Sequence, residues 1–271
     1  MASDEIENAA KAILSADSLL IIAGAGMGEH PDRNAQFENI TQLKKIYLDA
    51  GSPVISMDAK KKELLGTFYR NGSFYTQAAL QTNDHDFPSS ATGSVIPHGF
   101  YDIKRNTGYI TLGTSSDTSE FACDSLSQWR VNEGIIHYPK AKSLLILCDG
   151  GGSNSSRHYL FKEDLQRTAN ALGLEIRIAH YPPYTSEYNP IEHRLFPHVT
   201  RACEGVVFDS VETVKTLISR ASTSTGLTTM VNILDKVYEI GRKYATDFKE
   251  IMPIVFDEHL PKWNYRAIPQ E

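Results

Sequence analysis

SLLILCDGGGSNSSR, residues 143–157, carries five consecutive apolar residues, meets a single aspartate, and then breaks into three glycines. An apolar run this short and this free of alternation reads as a strand covered on both faces, the kind found inside a sheet with parallel neighbours. Asp149 closes that strand. A carboxylate at the mouth of a buried strand keeps its charge only with water, a hydrogen-bond donor or a cation beside it.

Outward from this strand the chain alternates between element types. After it, residues 157–172 have helical periodicity and stop at Gly173, and LEIRIAHY (174–181) reads as the next strand. Before it, DTSEFACDSLSQWRVNEG (117–134) reads as a helix capped by Asp117 or Thr118. Three β-rich runs precede that helix: PVISMDAKK (53–61), ELLGTFYRNG (63–72) and GYITLGTSS (108–116). They predict an antiparallel meander, with a polar excursion, QTNDHDFPSSATGSVIPHG (81–99), between the last two. Further helices are expected over 37–50, from Asn189, over 211–221 and over 235–249. A meander followed by alternating helices and strands specifies an α/β fold, a mixed sheet with helices on both faces. In such sheets the chemistry collects at the ends of central strands.

Three carboxylates meet that condition. Period-two alternation in PVISMD puts Val54, Ser56 and Asp58 on one side of a strand and Ile55 and Met57 on the other. Asp149 closes the central strand. Glu192 lies in the first turn of a helix introduced by PPYTSEYNPIE. Taken singly, Asp58 and Asp149 read as turn residues, and Asn189-Pro190-Ile191-Glu192 reads as an N-cap, an N1 proline and a capping-box acid. Together they read differently: three converging acids raise one another's pKa unless divalent cations neutralise them, and carboxylates with few soft ligands suit Mg²⁺ or Mn²⁺.

The blocks SMDAKKKELLG (56–66), LLILCDGGGSNSSR (144–157) and HYPPYTSEYNPIEHRLF (180–196), in this order, resemble the three catalytic blocks of bacterial insertion-sequence DDE transposases of the Rhodopirellula type, within the mariner-like group. HDFP, IPHGFYD, SDTSEFA, TGL and WNYR extend the resemblance from about residue 34 to the end. It implies an RNase H-like fold and an acidic triad on Asp58, Asp149 and Glu192, the last two separated by 43 positions. It also implies phosphoryl transfer on DNA with two metal ions, Asp58 bridging both and Asp149 and Glu192 each binding one. DNA is the implied partner, as transposon ends and as target, with a homodimer assembled on it.

Other residues follow from this reading. Lys60, Lys61 and Lys62 can meet DNA phosphates. GGGSNSSR offers backbone N–H groups, Asn154 and Arg157, and lacks the Gly-Lys-Ser/Thr ending of a P-loop. Tyr184, Asn189 and Arg194 complete the expected DNA contacts, with Tyr188 as a further stacking aromatic. His180, His193 and His198 raise a metallohydrolase alternative, against which stands the absence of a His-x-x-x-His pair.

The opening differs in character. AKAILSADSLLIIAGAGMG (10–28) resembles the first helix and strand of a sirtuin's NAD-binding domain, and the likeness stops at Gly28. The expected organisation is a sirtuin-like junction over 1–33 and a catalytic domain with a C-terminal helical extension over 34–271. The helix-turn-helix region of such transposases is not expected within the first 33 residues. A dinucleotide site needs the rest of its βαβ unit, so no NAD cofactor is expected. A catalytically silent remnant or DNA-binding accessory fragment is the alternative function, and NAD-dependent deacylation the weakest.

Composition sets bounds on all of this. The chain has 271 residues, 41% of them hydrophobic, and a net charge of −6, so any DNA-binding face is a local patch. Cys123, Cys148 and Cys203 lie far apart without zinc spacing, which fits thiols in a reducing compartment. The longest apolar run is too short to span a bilayer. A cytoplasmic protein without membrane contact is expected.

Overall fold

The structure is a computed structural model, described here over residues 31–151 and 158–270. The expectations for the opening segment, and for Asn154 and Arg157, lie outside the described residues. The described residues belong to one compact unit that begins at Pro31.

The chain enters through helix α1 (Arg33–Asp49) and strands β1 (Val54–Ala59), β2 (Glu63–Leu65), β3 (Gly93–Asp102) and β4 (Thr107–Gly113). Helix α2 (Ser119–Trp129) continues through a π turn to His137, followed by β5 (Ser143–Cys148), α3 (Tyr159–Leu172) and β6 (Glu175–His180). Next come α4 (Pro190–Arg194), α5 (Phe196–Ala202), α6 (Val211–Ile218), β7 (Thr228–Leu234), α7 (Phe248–Ile251), β8 (Val255–Phe256) and β9 (Asn264–Ala267). The strands form a nine-stranded mixed sheet in the order β7-β4-β3-β1-β5-β6-β9-β8, with β2 on β3. Strands β1, β3 and β4 are antiparallel, and β1, β5 and β6 are parallel. This is the RNase H-like arrangement of a meander continued by parallel strands.

The middle strand of the meander differs from the expected one. ELLGTFYRNG supplies only the three residues of β2, and the partner of both β1 and β4 is β3, drawn from the end of the polar excursion. GSVIPHGFYD (93–102), whose first seven residues fell within that excursion, is the strand, and it contains Pro97. In the sheet this proline lies opposite residues 60–62, where β1 has ended and β2 has not begun, and Lys60 N–H donates to its carbonyl at 2.8 Å. Its missing donor therefore faces a gap in the ladder.

Helices cover both faces. On one, α2 and α3 pack on Ile55, Met57, Phe100, Ile146 and Ile178. On the other, α1 packs on Val54, Leu145 and Leu147, and α4 to α6 pack on Tyr101, Ile110 and Leu112. Both neighbours of β1 and β5 are thus strands, and both faces of these strands are covered, as the unalternating apolar run demanded. Thr118 caps α2 by accepting from Phe121 N–H at 3.1 Å, and Gly173 ends α3 in the left-handed region at φ +58°.

The helix expected over 235–249 is absent. Residues 228–234 instead form β7, parallel to β4, and only α7 follows. Gly241 has φ +79°, and Val237 and Ile240 stay exposed, while Tyr238 alone of these packs inward, against Phe121 and Ile96, so residues 237–241 bury a single aromatic anchor and not a helical stripe. Polar contacts also tie this stretch down, Lys236 on Glu120 and Asp124 and Tyr238 on Asp124. None of the described helices is long and apolar enough to cross a membrane.

Close helix–sheet approach depends on glycines in the meander. A Cβ on Gly108 would lie 2.4 Å from Leu195 Cδ1, just beyond α4. Gly108→Ala is therefore expected to lower stability by ~1–3 kcal/mol through overpacking, read as a lower urea midpoint with an unchanged slope.

Candidate functional site

Asp58 and Asp149 stand at the same end of adjacent parallel strands. Ser56 pairs with Leu147, and the two aspartates lie two residues further along each strand. Burial forces this placement, because the residues before them are packed on both faces. Asp58 turns back on its own strand end, Oδ1 accepting from Ala59 N–H at 2.7 Å.

Glu192 arrives from the other side. Helix α4 has only five residues, and its position is set by contacts with β1. Ser56 Oγ donates to Asn189 Oδ1 at 2.5 Å, Ile191 N–H donates to Ser56 Oγ at 2.9 Å, and Asn189 Nδ2 donates to the Met57 carbonyl at 3.2 Å. Gly99, the cross-strand partner of Asp58, leaves room for the helix: a Cβ there would meet Ile191 Cδ1 at 2.7 Å.

The three acids act on one another. Burial first, then the charge of Asp149 and a hydrogen bond with Glu192, push the Asp58 carboxyl up to about 8, with the Ala59 N–H opposing. Asp149 is raised by burial and by the charge of Glu192, and the Gly151 N–H works against the shift. Among the described residues, no three His, Cys, Asp or Glu side chains already surround one ion-sized point. Three mutually repelling carboxylates are nevertheless a hard all-oxygen donor set, and that chemistry fits Mg²⁺ or Mn²⁺.

A second set of buried groups holds Asp149. His180 is fully buried, with Nδ1 at 3.0 Å from the Asp149 carbonyl and Nε2 at 2.9 Å from Tyr265 Oη. Burial pushes its imidazole down to about 4, so it is neutral, and with both nitrogens engaged it is not available as a metal ligand. Gln36 from α1 donates to the His180 carbonyl at 2.8 Å and exchanges hydrogen bonds with Asn264. Asn264 and Tyr265 lie in WNYR, a phrase of the resemblance that carried no role of its own, and Gln36, 228 positions from Asn264, carried no legible signal. Ser56 did carry one: it shares a strand face with Asp58.

The expected DNA contacts divide. Asn189 is wholly buried and its side chain is spent on β1, so it neither caps α4 nor faces a ligand. The capping box is absent too, since the Asn189 N–H goes to the Ser186 carbonyl. Lys60 is turned onto Glu63 at 3.0 Å, which also takes Arg70 at 2.7 Å. Lys61, Lys62 and Arg194 are exposed, and Tyr184 is 72% exposed. Tyr188 rests edge-on against Phe37 at 5.1 Å. Lys44 on α1, absent from the expected set, is half-buried, and burial first, then the nearby charge of Arg194, lowers its pKa.

The model of the Rhodopirellula transposase DDE domain family matches residues 25–269, with all three carboxylates inside the match. The chain belongs to the Rhodopirellula-type DDE transposase family. No curated protein matches it. Among solved structures, this DDE domain is similar to the Mos1 transposase paired-end complex with left transposon end, at 15% identity and TM-score 0.46 over 78% of this chain and 60% of that one. The Mos1 strand transfer complex gives 15% identity and TM-score 0.45 over 78% and 60%, and the Mos1 mariner paired end complex with Mn gives 15% and 0.44 over 78% and 61%. The DDE domain chain thus spans about 60% of the length of these proteins.

The raised Asp58 carboxyl makes stability depend on pH. A carboxyl whose folded pKa lies above its unfolded value of 3.8 contributes stability that is complete below that value and is lost as the pH rises through about 8. Asp58→Asn is expected to raise the thermal midpoint of the metal-free protein at about pH 9 and to change it little near pH 4, measured by circular dichroism in chelator.

Proposed function

We propose that this chain catalyses metal-dependent cleavage and strand transfer of DNA during transposition, with Asp58, Asp149 and Glu192 as its catalytic carboxylates. The observation that carries the reading is the convergence of these three acids from two parallel strand ends and one pinned helix in a chain of the DDE family. When bound, two Mg²⁺ or Mn²⁺ ions would activate the attacking oxygen and stabilise the leaving one. Asp58, Asp149 and Glu192 would be the residues that hold these ions.

The protein's own part is placement and charge. Strands β1 and β5 fix two carboxylates with no freedom along the sheet, and the bonds to Ser56 bring the third to them. Few proton-transferring side chains are needed when positioning and charge neutralisation lower the barrier. Water would be the nucleophile of cleavage, freeing a 3′-hydroxyl at a transposon end, and that hydroxyl would attack target DNA in the second step.

DNA would lie across the carboxylates, its phosphates met by Lys61, Lys62 and Arg194 and an unpaired base stacking on exposed Tyr184. With a net charge of −6, this local patch is what draws the duplex. Two copies would act together on paired ends. The catalytic domain is assigned to residues 34–271, and the three buried free thiols suit a reducing, cytoplasmic setting.

Incubating the protein with a duplex bearing the element's inverted repeat and Mn²⁺ is expected to yield strand nicks that Asp149→Ala reduces to background. Equal products from the two proteins, or none from either, would sink the reading in favour of a silent remnant.

A further inference from the structure

We propose that Ser56 and Asn189 form a positioning clamp that holds Glu192 beside Asp58 against the repulsion between them. The inference rests on the reading of the three acids as the reacting centre. Its basis is geometric: the clamp joins the peptide just before Asp58 to the residue three before Glu192 through hydrogen bonds among fully buried groups.

Each group in the clamp is used on both sides. The Ser56 hydroxyl donates to the Asn189 amide oxygen and accepts from Ile191 N–H, and the amide nitrogen of Asn189 donates to the Met57 carbonyl. Such a closed set tolerates few alternative arrangements, because displacing any member strands a buried polar atom. Helix α4 needs this restraint. It is five residues long, lacks a side-chain cap and is broken from α5 at Leu195, so its own hydrogen bonds cannot fix its direction.

Charge makes the restraint consequential. Glu192 adjoins two other acids, and when all three are ionised an unrestrained short helix relieves the repulsion by swinging away from the strand ends. Uncharged hydrogen-bonding groups are suited to oppose that, since they add no charge to a site that has too much of one sign. Gly99 acts in the same direction by letting Ile191 approach the sheet. Asn189 therefore serves the site from behind, as a positioning residue and not as a contact for DNA.

The test uses the full chain and two readouts. In chelator at about pH 9, Glu192→Gln is expected to raise the thermal midpoint of the wild type by removing repulsion. In a Ser56→Ala background, where the helix is free to relax, the same substitution should give less than half that gain. A merely structural serine would leave the gain unchanged, and that result overturns the clamp. By calorimetry with Mn²⁺ alone, Ser56→Ala should weaken binding about tenfold, as loss of ligand-orienting groups does. Val199→Ala, which trims the buried face of α5 without touching these bonds, should bind Mn²⁺ as the wild type does despite its own lower stability. Equal weakening in Val199→Ala would assign the effect to general loosening and overturn the proposal. Absence of Mn²⁺ binding by the wild type would instead overturn the assignment of the carboxylates, while the charge cycle still decides the clamp.

Discussion

A strand packed on both faces has no place for a charged side chain except at its end, and this constraint organises the molecule. Strands β1 and β5 are adjacent, parallel and buried along their lengths, so their aspartates emerge together at one rim of the sheet. The third acid then has to be carried to that rim by another element. The helices on the α1 side close over the same strands, and the buried polar groups of the protein gather where backbone must be held near charge. Ser56, Asn189, His180, Gln36 and Asn264 are all fully buried, and all lie within reach of a peptide adjoining an acid or of one another.

The division between neutral and charged groups follows from dielectric cost. Around Asp149 the supporting imidazole is neutral because burial holds it so. Around Asp58 the supporting groups are a hydroxyl, an amide and a glycine. The ion pairs of Arg177 with Asp257, of Arg242 with Asp164 and Glu120, and of Lys60 and Arg70 with Glu63 engage none of the three acids. The site therefore keeps its excess negative charge, the condition under which a cation has most to offer.

Much of this was legible in the residues, and the parts that were not fail for physical reasons. The unalternating run at 144–148 announced a two-face-buried strand, and alternation in 54–58 correctly separated Val54 and Ser56 from Ile55 and Met57. The strand at 93–102 was obscured because its first seven residues fell within a polar excursion, and only the paired structure reveals the gap opposite Pro97. The stretch 235–249 has helical spacing, but Tyr238 anchors it against Phe121 while Val237 and Ile240 stay exposed and Lys236 and Tyr238 bond to α2, so long-range contacts fixed its path instead of a helical stripe. Asn189 had the local grammar of a helix cap, and a bond to a residue 133 positions away outcompeted it. Long-range polar pairing of this kind leaves no local trace.

The proline in β3 has one more consequence. In an antiparallel strand a residue's N–H and C=O point to the same side, and the Pro97 carbonyl points toward Lys60. Its donorless nitrogen therefore faces the interval between β1 and β2. A two-residue slip that set Pro97 against Asp58 would bring that nitrogen to an intact stretch of β1 and lose a ladder bond that the observed alignment never requires. Pro97 therefore penalises that slip and fits the alignment that sets Gly99 across from Asp58, so a residue without a part in the chemistry favours the spacing on which the chemistry depends.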